Sequence, residues 1–255
     1  KEGGAIVVRN EMKQKFMVFS NANQLKTYIE HIPADKRCLY EVFAKKRKPV
    51  FDVDCTVKQL ADLAEATGAS LGEIANNTLE TIVNTLKEQI SVIFKVELHE
   101  NDVCVCPSTP VEEENGTIKY SWHIILPNYY FENNRDAKMF HERMQEKLPP
   151  KVAPMLDGKV YNKVQNMRLA GCHKKGSDRV KQLPSGFSFE QTLVGQVSEH
   201  SQKLEYDLAI LLELAGAEAA TKKKQKSLPT QTNVSWNGAE PAVLAGQVLA
   251  LLPAE

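Results

Sequence analysis

The segment Phe51-Asp52-Val53-Asp54-Cys55 sets two carboxylates two residues apart in an otherwise apolar run. Alternate side chains of a β-strand share a face, so Asp52 and Asp54 project together while Phe51, Val53 and Cys55 point into a core. Two adjacent carboxylates repel each other, and such a pair is tolerated in an apolar strand when a cation compensates. Oxygen ligands of this kind suit Mg²⁺ or Mn²⁺. Taken alone, Asp-x-Asp is more often the edge of a surface strand than a metal site. A second pattern, Ser121-Trp122-His123, opens the apolar run Ile124-Ile125-Leu126. On a strand, the Ser121 hydroxyl and the His123 imidazole share a face and could converge on one phosphate group. By itself, that strand is read more plainly as holding a histidine satisfied within a sheet. The third pattern runs from Asp157 through Lys159, Lys163 and Arg168 to the glycine-flanked pair Lys174-Lys175. It adds a carboxylate and several cations, which together make the inventory of two-metal phosphoryl transfer on a polyphosphate.

These residues need elements to hold them, and periodicity supplies candidates. Phe16 to Phe19 reads as a short strand and Asn21 to His31 as a helix capped by asparagine. Lys36 to Ala44 and Pro49 to Cys55 read as strands of a hairpin whose turn is the cationic run Lys45-Lys46-Arg47-Lys48. From Val57 to about Ile90 apolar residues recur at helical spacing, interrupted at Gly68, with Ser70 and Glu73 forming a capping box for the second helix. Val92 to His99 and Val103 to Pro107 are strand candidates, followed by an acidic loop that ends in the turn signal Asn115-Gly116. Lys119 to Pro127 is the next strand, and Asn133 to Leu148 a helix stopped by Pro149-Pro150. Val160-Tyr161, Met167 to Ala170 and Val180 to Leu183 read as short strands lining a cleft, and residues 199 to 220 as a helix. The class is mixed α/β (α+β), with sheets and flanking helices.

Composition is that of an ordinary globular protein, with 42% apolar and 25% charged residues among 255. No window approaches the roughly 18 consecutive apolar residues of a membrane span, and the start lacks a secretory signal, so an intracellular protein without a membrane partner is expected. The five cysteines form an odd set, which points to reduced thiols rather than a disulfide framework. The chain starts with lysine and its tail lacks the look of a finished terminus, which suggests a piece of a longer polypeptide. Formal net charge is zero, yet residues 1 to 50 hold eleven Lys/Arg against five Asp/Glu, and residues 151 to 190 hold eight against three. Two such basic segments could form one positive surface for a phosphate backbone.

In this order, the acidic pair, the Ser-x-His and the later Asp leading to Arg and Lys resemble the motifs of the archaeo-eukaryotic primase (AEP) superfamily. Asp157 through Lys174 is similar to the corresponding segment of PrimPol-type enzymes and of the primase domains attached to helicases in large DNA viruses. The resemblance spans roughly Phe16 to Val197 and includes Phe187-Ser-Phe-Glu-Gln, which is similar to the family's closing element. It implies a catalytic domain over residues 1–198 with an AEP/RRM-like core forming a cleft; Ala/Leu spacing, and then a lysine run with a Pro/Thr/Asn/Gly stretch, predict a helical extension over 199–221 and a linker with a short apolar tail over 222–255, expected to lead to a further domain. It further implies that Asp52, Asp54 and Asp157 hold two Mg²⁺ or Mn²⁺ ions, that Ser121 and His123 contact the phosphates of an incoming nucleotide, and that Arg168 and Lys174 neutralise its triphosphate. This sequence departs from the relatives where Cys172 and His173 replace frequent serines and Gln165 a frequent basic residue.

The implied activity is primer synthesis at sites of DNA replication: nucleotidyl transfer from NTP or dNTP to a 3′-hydroxyl on a single-stranded DNA template, beside a fused or associated helicase. For template or second-nucleotide contact the candidates are Lys45 to Lys48 and Lys163, with Trp122 or Tyr161 as possible stacking partners, although core packing also accounts for those two rings. Cys104-x-Cys106 with Cys172-His173 has the ligand types for zinc, but an alternating apolar strand accounts for the first pair, and zinc is not expected. Two other readings of the acids remain: a catalytically silent nucleic-acid-binding module and a two-metal nuclease.

Overall fold

A computed structural model of the chain describes residues 4–43, 45–65, 68–108, 111–112, 118–161, 165–207 and 209–210. Strands β1 (Ile6–Asn10) and β2 (Lys15–Phe19) form an antiparallel hairpin, and helix α1 (Ala22–His31) follows. The side chain of Asn21 caps α1 by accepting from the Gln24 amide, as the sequence led one to expect. β3 (Leu39–Phe43) returns antiparallel to β1. Alternation along β1 buries Ile6 and Val8 on one face, where Leu25 and Ile29 of α1 and Leu39 of β3 cover them.

The next strand, β4 (Val50–Thr56), belongs to a different sheet. The expected hairpin of two strands about a cationic turn is therefore incorrect, because the basic run crosses between sheets and two of its cations are buried. Arg47 is 0% and Lys48 2% exposed. Backbone bonds join Arg47 to Phe131 in both directions, and its guanidinium donates to the Val160 carbonyl and lies over the Phe43 ring. The Lys48 ammonium donates to the carbonyls of Glu190 and Gln191 at 3.0 and 3.3 Å. Close by, the buried Glu41 carboxylate accepts from the amides of Val194 and Gly195 at 2.6 and 2.8 Å. These buried charges pin the segment around residues 190–195 against β3.

After β4 come α2 (Val57–Ala64) and α3 (Leu71–Phe94), the latter opened by the Ser70/Glu73 capping box. The β-branched run at Val92 is not the start of a strand as expected. Leu86, Ile90 and Ile93 continue one buried helical stripe, so α3 persists until Lys95 takes a left-handed conformation at φ 57°. β5 (Cys104–Pro107), β6 (Val111–Glu112) and β7 (Ile118–Ile125) complete the second sheet, in which β7 is central between β4 and β5 and also pairs with β6. Buried residues of its inner face, such as Phe51, Val53 and Ile124, share one core with Ile82, Leu86 and Ile90 of α3 and Phe140 of α4 (Asn134–Lys147). The two-residue β8 (Tyr129–Tyr130) precedes α4.

β9 (Gln165–Arg168) then returns to the first sheet, giving the order β2-β1-β3-β9. Val160-Tyr161 is part of a 3₁₀ turn, Gly158–Tyr161, rather than a strand. Around Val180 to Leu183 pairing is limited to an isolated bridge between Ser108 and Lys181. The helix expected over 199–220 is not present in residues 199–207, where β10 (Gln202–Lys203) instead pairs in parallel with β8. Of the remainder, Ala209 and Ile210 are helical, and the rest of that expectation, with the linker and tail at 222–255, lies outside the described residues. So do the loop ending in Asn115-Gly116 and Lys163. Among the described residues, no helix is long and apolar enough to cross a membrane.

Candidate active site

Antiparallel pairing of β4 with β7 sets Asp52 opposite His123 and Asp54 opposite Ser121. Directly opposed residues of an antiparallel pair point to the same face. Alternation has already put Asp52 with Asp54 and Ser121 with His123, so all four side chains share one face of the second sheet. The opposite face, with Phe51, Val53, Trp122 and Ile124, is core. Cys106 of β5, opposite His123, continues the same row.

Asp157 arrives along the free edge of β4. Val53 bridges antiparallel to Leu156, and the Asp157 amide donates to the Asp52 carbonyl at 2.8 Å. One residue beyond that bridge, Asp157 stands opposite Asp52. The three aspartates read from distant parts of the sequence thus meet on adjacent strand positions. Their present partners differ: the Asp54 carboxylate pairs with Lys119 at 2.7 Å, and Asp157 accepts from the amide of Lys159 at 2.9 Å. Among the described residues, no three His, Cys, Asp or Glu groups are drawn into a ready metal cluster; the carboxylates are neighbours that still face separate partners.

Electrostatics expresses the crowding. Burial, then the adjacent Asp54 and Asp157 charges, raise the Asp52 carboxyl from 3.8 to about 6, with Lys181 and Arg168 pulling the other way. Lys181 is fully buried and its ammonium donates to the Ser121 hydroxyl at 3.2 Å. Desolvation lowers it from 10.5 to about 7, and Arg168 pushes in the same direction while Asp52 and Asp54 oppose. Burial, Lys181 and Arg168 hold the His123 imidazole well below its ordinary 6.5. His123 is therefore neutral near pH 7, and its 3.7 Å approach to Asp52 is not an ion pair. Arg168 donates from Nη1 to the Arg179 carbonyl at 3.1 Å, while its buried Nε has no hydrogen-bond partner among the described residues.

Of the seven residues singled out from sequence, six are brought to this face: Asp52, Asp54, Asp157, Ser121, His123 and Arg168. Lys174 is not among the charges acting on Asp52; it acts on Glu11, at the β1–β2 turn. The cation that does reach the carboxylates, Lys181, was missed, as was Lys119. The i, i+2 spacing of Arg179 and Lys181 in a basic segment was the available signal, but nothing in it distinguishes the buried cation from a solvated one. Trp122 and Tyr161 are 7% and 4% exposed, so neither ring offers a stacking surface. Cys104 and Cys106 are buried on the carboxylate face of the second sheet, whereas Cys172 belongs to the core beneath the first, and His173 packs beside Cys38 at 3.6 Å. The four candidate zinc ligands do not meet. A cavity of about 650 Å³ is lined by Lys46, Lys48, Gln191 and His200 among others; none of the carboxylates borders it.

With the geometry in view, comparison with known proteins decides the family. Residues 9–183 match the family described as the C962R protein N-terminal AEP domain. The chain belongs to that family. The matched range of this AEP domain takes in all three motifs, from the first strand to the segment that carries Lys181. It is also similar to two African swine fever virus proteins that carry, provisionally, the name helicase/primase complex protein. In the Kenyan pig isolate KEN-50 the identity is 32% over 179 residues, covering 69% of this chain and 17% of the relative. In the Vero-adapted Badajoz strain it is 32% over 187 residues, 69% and 18%. The AEP domain described here thus corresponds to less than a fifth of the length of either viral protein.

Proposed function

We propose that this AEP domain synthesises primers, joining nucleotides to a 3′-hydroxyl on a single-stranded DNA template with release of pyrophosphate. The observation that carries the reading is the meeting of Asp52, Asp54 and Asp157 on one sheet face, with Ser121, His123, Lys181 and Arg168 beside them. Hard oxygen donors, one of them raised above its ordinary range by burial and then by its acidic neighbours, fit Mg²⁺ or Mn²⁺. These three aspartates would hold the ions. A pair of divalent cations bound there supplies acidification of the attacking hydroxyl and neutralisation of charge on the triphosphate.

The chain's own groups account for the rest. The Ser121 hydroxyl, held by Lys181, and neutral His123 donate to phosphate oxygens without adding charge of their own. Arg168 and Lys181 offset the triphosphate, and the Arg168 Nε, without a hydrogen-bond partner among the described residues, is a donor for it. Lys119 occupies Asp54 in the absence of substrate and leaves it when a stronger cation arrives. By analogy with the helicase/primase complex name of the viral relatives, the domain would act together with a helicase at sites of DNA replication.

The test is incubation of the protein with a single-stranded DNA circle, Mg²⁺ or Mn²⁺ and labelled NTPs or dNTPs. New short oligomers that disappear in Asp54→Asn and Asp157→Asn support the reading. Shortening of the circle would make the site a nuclease, and a mobility shift without synthesis would make it a silent binding domain.

A further inference from the structure

Two of the four cations of the basic run, Arg47 and Lys48, and the two rings considered for template contact are buried, which leaves the question of where a template strand would lie. The first sheet offers an unused face. Its inner side is covered by α1; its outer side presents Phe16 and Val18, which are 66% and 67% exposed. Register then aligns one row across all four strands: Phe16 on β2 opposes Arg9 on β1, Arg9 opposes Tyr40 on β3, and Tyr40 opposes Arg168 on β9. A second row, Val18, Val7, Val42 and Asn166, runs beside it. Strands lie about 4.8 Å apart, so the first row leads over about 14 Å from an exposed aromatic ring to the arginine whose charge acts on Asp52.

The chemistry of this row alternates ring, cation, ring, cation. Tyr40 is fixed by donating its hydroxyl to Glu11 at 2.9 Å. Glu11, the acid at the turn, is also bonded by the Lys175 amide and lies beside Arg9 and Lys174, so its charge is compensated. Lys13, Lys174 and Lys175 are exposed around it. An exposed aromatic flanked by cations suits single-stranded nucleic acid, whose bases stack on rings and whose phosphates pair with Lys and Arg. A purely apolar partner surface would leave Arg9 and Arg168 unmatched.

We propose that the outer face of the β2-β1-β3-β9 sheet binds single-stranded nucleic acid, with a base stacked on Phe16 and the backbone on Arg9, and leads the strand to Arg168 at the carboxylates. This rests on the reading of the site as a template-directed polymerase for its purpose, but binding itself can be measured without synthesis.

The experiment uses the whole chain in EDTA without nucleotides and reads anisotropy of a labelled single-stranded oligodeoxynucleotide. Phe16→Ser should weaken binding roughly ten-fold or more, and Phe16→Trp should retain it. Arg9→Gln should weaken it and make the salt dependence shallower by about one in slope. Val92→Ser, an exposed position on α3, serves as a control and should change nothing. In a synthesis assay, Phe16→Ser should raise KM for template while leaving KM for nucleotide unchanged. The proposal is overturned if Phe16→Ser leaves both oligonucleotide affinity and template KM at wild-type values. It is equally overturned if the wild type binds no strand while sedimentation shows a self-association that Phe16→Ser dissolves, since the face would then seat a second copy. If the strand binds through Phe16 but no oligomers form under any condition, the polymerase reading fails and the binding face stands.

Discussion

Replacing Asp52 with Asn separates a site built to hold cations from a strand that merely carries acids. The carboxyl is about a quarter exposed, and its ordinary value of 3.8 is raised to about 6 by burial and by Asp54 and Asp157. An acid whose folded value exceeds its unfolded one binds its proton more tightly in the fold. Stability is therefore highest below 3.8, falls as pH rises to about 6, and stays at the lower level above. The full difference is roughly 3 kcal/mol. Asparagine keeps the shape and removes the charge, so without metal the Asp52→Asn protein should be more stable than wild type at pH 7.5 by up to about 3 kcal/mol. The gain should vanish near pH 4. Thermal unfolding from pH 4 to 8 in EDTA reads this directly, at roughly 2 to 4 °C per kcal/mol for a domain of this size. Mn²⁺ should then reverse the order, since a ligand at one thousand times its Kd adds about 4.1 kcal/mol to the form that binds it. Loss of stability in the variant at pH 7.5 in EDTA, or equal stabilisation of both proteins by Mn²⁺, would refute the reasoning.

Other perturbations test neighbouring parts of the argument. Lys119→Ala should change stability by less than about 1 kcal/mol, because the pair with Asp54 is partly exposed, yet raise Mn²⁺ affinity several-fold in a calorimetric titration; an unchanged Kd would mean that Lys119 does not compete for Asp54. His141 is 3% exposed, lies against Phe51 and Tyr161, and burial holds it near 4 rather than 6.5. A base depressed in this way costs the fold about 3 kcal/mol as pH falls from 6.5 to 4, so His141→Leu should flatten the acid limb of urea-unfolding stability in that window. Glu41→Ala strips the acceptor from the Val194 and Gly195 amides and leaves Lys48 buried without its carboxylate. It should cost about 3 to 5 kcal/mol in urea unfolding, and a cost under about 1 would show that the pin is dispensable.

What could be read from sequence was whatever depends on local periodicity. The alternation around Asp52 and Asp54, the Ser70/Glu73 box and the asparagine cap of α1 each follow from three to eight consecutive residues, and each appears in the structure. Pairing of the two motif strands was not legible, although both carried the right alternation, because register is set by long-range packing. Misreadings came where one composition serves two structures. Val92 and Ile93 are β-branched in a helix that simply continues its buried stripe, and β1, with the same alternation as any half-buried strand, was not recognised at all. Lys181 eluded the reading because its segment has no periodicity: backbone bonds to Gly171 and Cys172 and a bridge to Ser108 hold it where the ammonium meets Ser121.

The cationic run after β3 shows why charge counts mislead about partners. Lys45 to Lys48 contributes four of the eleven basic residues in the first fifty, and its spacing suggests a solvated turn offered to phosphate. Two of the four instead end in the interior, Arg47 on the carbonyl of Val160 and Lys48 on carbonyls near Glu190, where they join the two sheets through the segments that follow Asp157 and Pro184. Before those segments in the chain stand Asp157, whose amide bonds to Asp52, and Lys181, whose ammonium meets Ser121. The buried cations thus anchor chain that neighbours the third carboxylate and the cation of the site. Lys45 and Lys46 stay exposed, while on the sheet whose outer row ends at Arg168 the positive surface for a phosphate backbone is the set around Arg9, Lys13, Lys174 and Lys175.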